Sequence, residues 1–204
     1  MARPDKKKTD LSTEERIKSA ARKVFMKKGY GASRTRDIAE EAGINLALLN
    51  YYFRSKEKLF HEIMMERVQQ LFGTVTPILI DSSTSFETKI ELMATRYIDL
   101  LIANPDLPMF VLNEIRKRPD FFKSQIDLQQ VLMNSSFLKQ LKAKRKDIDP
   151  THYLMNIIGL MLFPFLAKPI FFATGIVSEK NFMSLMEQRR KLIPKWTKAI
   201  LQTK

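Results

Sequence analysis

The residues best suited to chemistry lie between Ser33 and Phe60, in SRTRDIAEEAGINLALLNYYFRSKEKLF. Ser33, Arg34 and Thr35 stand where one helix should open, and Lys56 stands just after Ser55, where another should. Free backbone N–H groups and the positive end of the helix dipole face outward at such places, which suits phosphate oxygens. Asn50 carries the paired donor and acceptor that fit an adenine edge, while Leu46 and Leu48 offer apolar contact to thymine methyl groups. Together they favour an A/T-containing core site. The chemistry is recognition of a duplex, in which phosphates hold and base edges specify. Catalysis has few carriers. There are two histidines, His61 in an amphipathic stretch and His152 near a helix start, with no cysteine and no HExxH spacing. The six glycines form neither GxGxxG nor a P-loop, and Glu40-Glu41 lie beside each other on a solvated face. No enzyme activity, metal or cofactor is expected.

Two short helices, a glycine turn and the start of a third must position these residues. Ser33 is expected to cap the first, which buries Ile38, Ala39 and Ala42. Gly43 follows where the chain must leave the helix, because glycine takes the left-handed conformation without steric penalty. Asn45 should cap the second helix, in which Leu49, Tyr52 and Phe53 fall within about 100° on a 3.6-residue wheel and form one buried stripe. Ala47, Leu48, Asn50, Tyr51 and Arg54 lie outside it. Tyr51 is thus expected outward and Tyr52 inward. Helix, tight turn and helix with a small, polar outer face is the arrangement of a helix-turn-helix DNA reader. A preceding helix from Ser12 to Lys28 should support it, since Ser12 and Glu15 make a capping box and Ile17, Ala20, Ala21, Val24 and Phe25 recur at helical spacing. Gly29 should end that helix, closing a core of Phe25, Ile38, Leu49 and Phe53.

Arg16-Ile17, Ala20-Ala21, Phe25, Gly29-Tyr30, Arg36-Asp37-Ile38-Ala39, Ala42-Gly43-Ile44, Leu49, Tyr51-Tyr52-Phe53 and Ser55-Lys56-Glu57-Lys58-Leu59-Phe60 resemble the N-terminal signature of TetR-family transcriptional regulators. The resemblance covers roughly residues 11–62. It implies that Asn45, Leu46, Ala47, Asn50, Tyr51 and Tyr52 form the DNA-contacting turn and recognition helix. Leu46 stands where a lysine or polar residue is common in the family, Ala47 where glycine is, and Asn50 where a tyrosine commonly touches phosphate. The resemblance also implies a ligand-responsive regulator, a repressor released from its operator by a small molecule bound within the C-terminal helices. Met93, Tyr97, Phe110, Asn113 and Met161 are expected to line that effector pocket, because each lies in a central helix and two carry polar handles. The effector should be largely apolar.

The remaining chain is expected to be helical throughout, giving an all-α protein of about nine helices. The divisions expected are a basic arm over 1–10, the helix-turn-helix domain over 11–54, and an effector-binding and dimerisation domain over 55–204. A helix opening at Ser55 should start within the reader and run about 25 Å away from it, at ~1.5 Å per residue, until Gly73 and Pro77 stop it, so that movement at its far end can tilt the reader. Asp81 to Ser85 should be a loop, with Thr84 and Glu87 capping the next helix. A short helix should run from about Pro108 to Lys117, and one long helix from Pro119 to about Lys146. From Leu154 to Leu166 apolar residues occupy every side of a helix, which must then be covered all round. That helix and the last, which opens after Ser178, should form half of a four-helix homodimer interface. One reader supplies few base contacts, so two on a two-fold axis should address a palindromic double-stranded operator.

The formal net charge is +13, and residues 1–60 hold fifteen Lys/Arg against eight Asp/Glu, so the basic density is highest around the reader. A polyanionic partner follows from counterion release. The start, MARPDKKKTD, lacks the apolar stretch of a signal peptide, the charge-free run from Pro150 to Ala167 falls short of the ~20 apolar residues of a membrane span, and the absence of cysteine fits a reducing cytoplasm. The rival readings are a nonspecific nucleic-acid binder and a peripheral membrane or lipid-binding helical protein.

Overall fold

The computed structural model describes residues 12–125 and 128–202; the basic arm expected over residues 1–10 lies outside them. The described residues contain no strand and thirteen helices. These are α1 (Thr13–Ala32), α2 (Thr35–Ala42), α3 (Leu46–Tyr52), α4 (Lys56–Gly73), α5 (Thr76–Ile80), α6 (Phe86–Ala103), α7 (Leu107–Lys117), α8 (Pro119–Gln125), α9 (Leu128–Met133), α10 (Ser136–Lys144), α11 (Pro150–Leu166), α12 (Lys168–Ala173) and α13 (Glu179–Gln202). Two compact units meet in sequence between Glu66 and Arg67, inside α4.

In the N-terminal unit α1 opens on Ser12, whose hydroxyl accepts the Glu15 N–H at 3.2 Å. Its apolar stripe, Ile17, Ala20, Ala21, Val24 and Phe25, is buried throughout. Gly29 leaves the helical region at φ 71°, ψ 169°, so the last residues of α1 are a separate turn beyond a kink. Ile38, Leu49, Phe53, Leu59 and Phe60 complete the core with Phe25, whose ring meets Phe60 edge-on at 5.0 Å. Gly43 sits at φ 64°, ψ 38° and closes α2 with N–H bonds to the carbonyls of Ala39 and Glu40. This is the left-handed C-terminal cap expected of a glycine there. Arg16 adds a clamp from α1, donating to the Ala42 carbonyl at 2.9 Å.

The C-terminal unit is built on α6, which packs chiefly against α13 and also against α10 and α11. Phe86, Ile90, Met93, Ala94, Tyr97, Ile98 and Leu101 make its buried face. Tyr153 of α11 is 2% exposed, stands among Phe86 and Phe137, and donates to the Thr197 carbonyl at 3.3 Å, which ties four helices together. Burial pushes its phenol up to about 12. Arg189 of α13 donates to the Leu160 carbonyl of α11 at 2.7 Å, and Arg190 pairs with Asp99 of α6. These two arginines therefore bind helices together within the unit.

Three expectations need correction. The long helix expected from Pro119 to Lys146 is interrupted at Ser135, between α9 and α10. The Ser135 hydroxyl donates to the Leu132 carbonyl at 2.7 Å and accepts the Leu138 N–H at 3.2 Å, ending one helix and capping another. Thr84 does not cap α6; Ser85 does, accepting the Thr88 N–H, while Thr84 donates to Asp81. Asp81 also accepts from the Ser83 hydroxyl and N–H, and these bonds, Thr84's first, pull its carboxyl down to about 2. Pro77 opens α5 instead of stopping α4, since a proline fits the first helical turn, where its missing N–H would have no partner anyway. The break at Ser135 and the short α5 and α12 add helices to the nine or so expected.

Candidate nucleic-acid interface

The outer surface of α3 and the openings of α2 and α4 hold most of the expected contact residues. Asn45 caps α3 by accepting the Leu48 N–H at 2.8 Å. That bond uses its carbonyl oxygen and leaves the amide NH2 for a partner outside. Within α3 Leu49 is fully buried while Ala47 and Asn50 are exposed, Leu46 and Leu48 stand half out, and Tyr51 is 80% exposed. The helix therefore turns one apolar residue inward and offers a small, amide-bearing and aromatic surface outward.

Tyr52 departs from the inward position that its wheel angle predicts, being 39% exposed with its ring edge-on to Tyr51 at 5.4 Å. The reason is local. The helix ends at Tyr52, and Phe53 is extended at φ −127°, ψ 103°, so the Phe53 ring reaches the core from outside the helical wheel and displaces Tyr52 to the rim.

Ser33 departs more strongly. It is 2% exposed and its hydroxyl donates to the Gly29 carbonyl at 2.6 Å, so it seals the end of α1 and does not cap α2. The capping position falls to Arg34, whose N–H donates to the Asp37 carboxylate at 3.0 Å. Lys28 also binds Asp37 at 3.0 Å, and this pair, with the Arg34 N–H, holds the carboxyl below its usual range. Thr35 is half-buried at the first turn, and the Arg34 side chain is exposed.

Lys56 is partly committed. Its ammonium donates to the carbonyls of Tyr30 and Ser33 at 3.0 and 2.9 Å and lies 4.2 Å from the Tyr30 ring centre. It locks the turn between α1 and α2 onto the start of α4, which Ser55 caps through the Lys58 N–H at 3.1 Å. Arg36, Arg54 and Lys58 are exposed cations around the same helix openings that the sequence reading left out of the site. Wheel position set Arg54 aside with the residues outside the buried stripe, although charge beside a recognition helix was the signal available. Two cations of α1 are engaged elsewhere: Lys18 lies near Glu14, Glu62 and Glu66, and Arg22 donates to Glu66 at 2.8 Å. Ion pairing thus removes charge from one side of the unit and leaves it around α2, α3 and the start of α4.

The C-terminal unit contains a cavity of about 260 Å³. Met93, Tyr97 and Met161 line it, with Leu79, Leu112, Phe137 and Ile157 among their neighbours. Phe110 and Asn113, expected beside them, are not in its wall. It is Leu112 that α7 turns to the cavity, and the helical rotation of ~100° per residue carries Phe110 and Asn113 away from it. Among the described residues no cluster of three or more metal-ligating side chains occurs, and no helix is long and apolar enough to cross a membrane.

A short helix packed under a second one, with a left-handed glycine between them and the outer face of the second left open, defines a helix-turn-helix DNA-binding protein. Residues 17–63 match the family model described as bacterial regulatory proteins, tetR family. The HTH-type transcriptional repressor KstR2 of Mycolicibacterium smegmatis is 29% identical over 153 residues, covering 68% of this chain and 74% of that one. The fatty acid metabolism regulator protein of Bacillus subtilis is 25% identical, covering 56% and 55%. A TetR-like transcriptional regulator from Rhodococcus sp. RHA1 shares the fold, with a TM-score of 0.58 at 17% identity over 87% of this chain and 93% of that one. Residues 17–63 thus carry the DNA-binding domain of the TetR family, and the chain as a whole is similar to transcriptional regulators of that family.

Proposed function

We propose that this regulator acts as a cytoplasmic homodimeric repressor, holding a palindromic duplex operator through α3 of each copy and releasing it when a small molecule occupies the C-terminal cavity. The observation that carries the DNA reading is the outer face of α3, where Tyr51, Asn50 and Ala47 are exposed above a fully buried Leu49. The exposed cations Arg34, Arg36, Arg54 and Lys58 supply phosphate contacts beside it. Dimerisation is supported by apolar surface left on the last long helices: Met155, Ile158 and Phe163 on α11, and Leu185 and Trp196 on α13. The KstR2 relative is itself named a repressor, which favours repression over activation.

Release follows if the effector binds one conformation better than the other, since only differential affinity shifts such an equilibrium. Leu71 and Phe72, in the last turn of α4, line the cavity, and Lys56 in its first turn holds the reader's inner turn. A change at the cavity wall therefore has a covalent route toward the reader.

The test is a binding selection from genomic fragments followed by titration of the selected operator. Tyr51→Ala should weaken that operator at least tenfold with an unchanged melting temperature, because its ring touches little but Tyr52. Equal affinity of the two proteins would overturn the docking face.

A further inference from the structure

The chemical class of the effector can be taken further than largely apolar, on the reading that the cavity is where it binds. None of the described residues lining the cavity is charged, and two of them, Thr76 and Tyr97, carry a polar side-chain group. Thr76 is already committed, its hydroxyl donating to the Phe72 carbonyl at 3.0 Å. Tyr97 is 6% exposed, and among the described residues its hydroxyl has no hydrogen-bond partner. Burial raises the pKa of this phenol well beyond its usual range, so the group stays protonated and can donate as well as accept.

We infer that the cavity takes an uncharged, mostly hydrocarbon molecule with a buried part of about ten non-hydrogen atoms and one oxygen function, a hydroxyl or carbonyl, that meets the Tyr97 hydroxyl. The size follows from volume: an apolar cavity of ~150 Å³ accommodates benzene, so 260 Å³ accommodates about ten heavy atoms. The charge state follows from the wall. An ionised carboxylate needs a cation or several donors to offset its desolvation, and the described residues of this wall offer one uncommitted neutral hydroxyl. A molecule with no polar atom would leave that hydroxyl buried and unpaired, and one with two would leave its second group so. Met93 and Met161 give the wall the adaptability to close on a flexible chain.

The probes are 1-nonanol, nonanoate at pH 8 and 1-chlorooctane, titrated calorimetrically into the full chain. Nonanol should bind at least tenfold more tightly than nonanoate. Tyr97→Phe should weaken nonanol five- to tenfold and leave chlorooctane within twofold, a split that general loosening of the unit would not produce. Met161→Trp, which fills the cavity, should abolish binding of all three, its melting temperature confirming a folded chain. Nonanoate binding as tightly as nonanol, or nonanol indifferent to Tyr97→Phe, overturns the ligand class. If nonanoate binds tightly and Met161→Trp still abolishes it, the ligand class falls and the cavity stands as the effector site. Probes that bind equally well to Met161→Trp overturn both, and no probe binding the parent chain overturns the ligand class.

Discussion

At the residue scale the interface depends on a few side chains and one glycine performing separable tasks. Ser33, Arg16 and Lys56 each satisfy main-chain carbonyls at helix ends, so their polarity is turned inward to hold the turns in place. Buried carbonyls left without such donors would be destabilising, and that is why charged and hydroxyl groups stand inside the reader. Gly43 is the complementary case. A Cβ there would meet Arg16 Nη2 at 3.7 Å, an ordinary contact, so space does not require glycine; the backbone at φ +64° does. Gly43→Ala should therefore destabilise the chain by about 1–2 kcal/mol, the penalty of a left-handed L-residue. A urea titration checks this: the midpoint should fall with an unchanged slope, and an unchanged midpoint would contradict it.

At the element scale the notable junction joins α6 and α10. Lys89 is fully buried and donates to the Ser136 hydroxyl and the Gln140 side-chain carbonyl, both at 3.0 Å, while Gln140 donates in turn to the Thr84 carbonyl. Desolvation lowers the pKa of the ammonium from the usual lysine value, outweighing the opposing pull of the Asp81 carboxylate. A lysine with a lowered folded-state pKa binds fewer protons folded than unfolded between the two values. Its contribution to stability therefore rises with pH across a window that ends at the unfolded pKa, near 10.4. Lys89→Met should remove that rise. Near neutral pH it should leave the chain as stable as the parent or more so, by up to roughly 2 kcal/mol, because a desolvated charge is replaced by an apolar side chain of similar length. Paired urea titrations at pH 7 and 9.5 distinguish the two; a variant markedly less stable at pH 7 would mean the polar bonds outweigh the buried charge.

At the scale of the whole molecule, α11 and α13 each bury one side and leave another uncovered. Tyr153, Ile157, Met161 and Phe165 face inward on α11, and Phe182, Met186, Ile193 and Thr197 on α13. Phe163 and Ile176, at 60% and 72% exposed, lie among the apolar residues left outside, too many large side chains for a surface that water alone is meant to cover. Leu185→Glu combined with Trp196→Glu should convert the proposed dimer to a monomer in light scattering. Operator affinity should fall by at least a hundredfold, since one reader then works alone. A double variant that still elutes as a dimer would place the interface elsewhere.

Local chemistry made much of the reader legible in advance. Gly43, Asn45 and Ser55 act through bonds to residues three or four places away, and the burial of Leu49 beneath exposed Ala47, Asn50 and Tyr51 follows from helical periodicity alone. The misplacements of Ser33 and Tyr52 arise where a helix ends, since a wheel has no meaning beyond the last helical residue and a hydroxyl beside two helix ends has two sets of partners to choose from. The cavity wall was legible only in part. Met93, Tyr97 and Met161 belong to strongly apolar helices, but which turn of α7 meets them depends on how distant segments pack. Periodicity and capping along the chain thus determined that this is an all-helical protein with a DNA-reading turn, because those interactions span one helical turn. Which polar groups are spent inside, which cations remain outside and where a hollow is left between helices were decided by tertiary packing, which joins residues tens of positions apart.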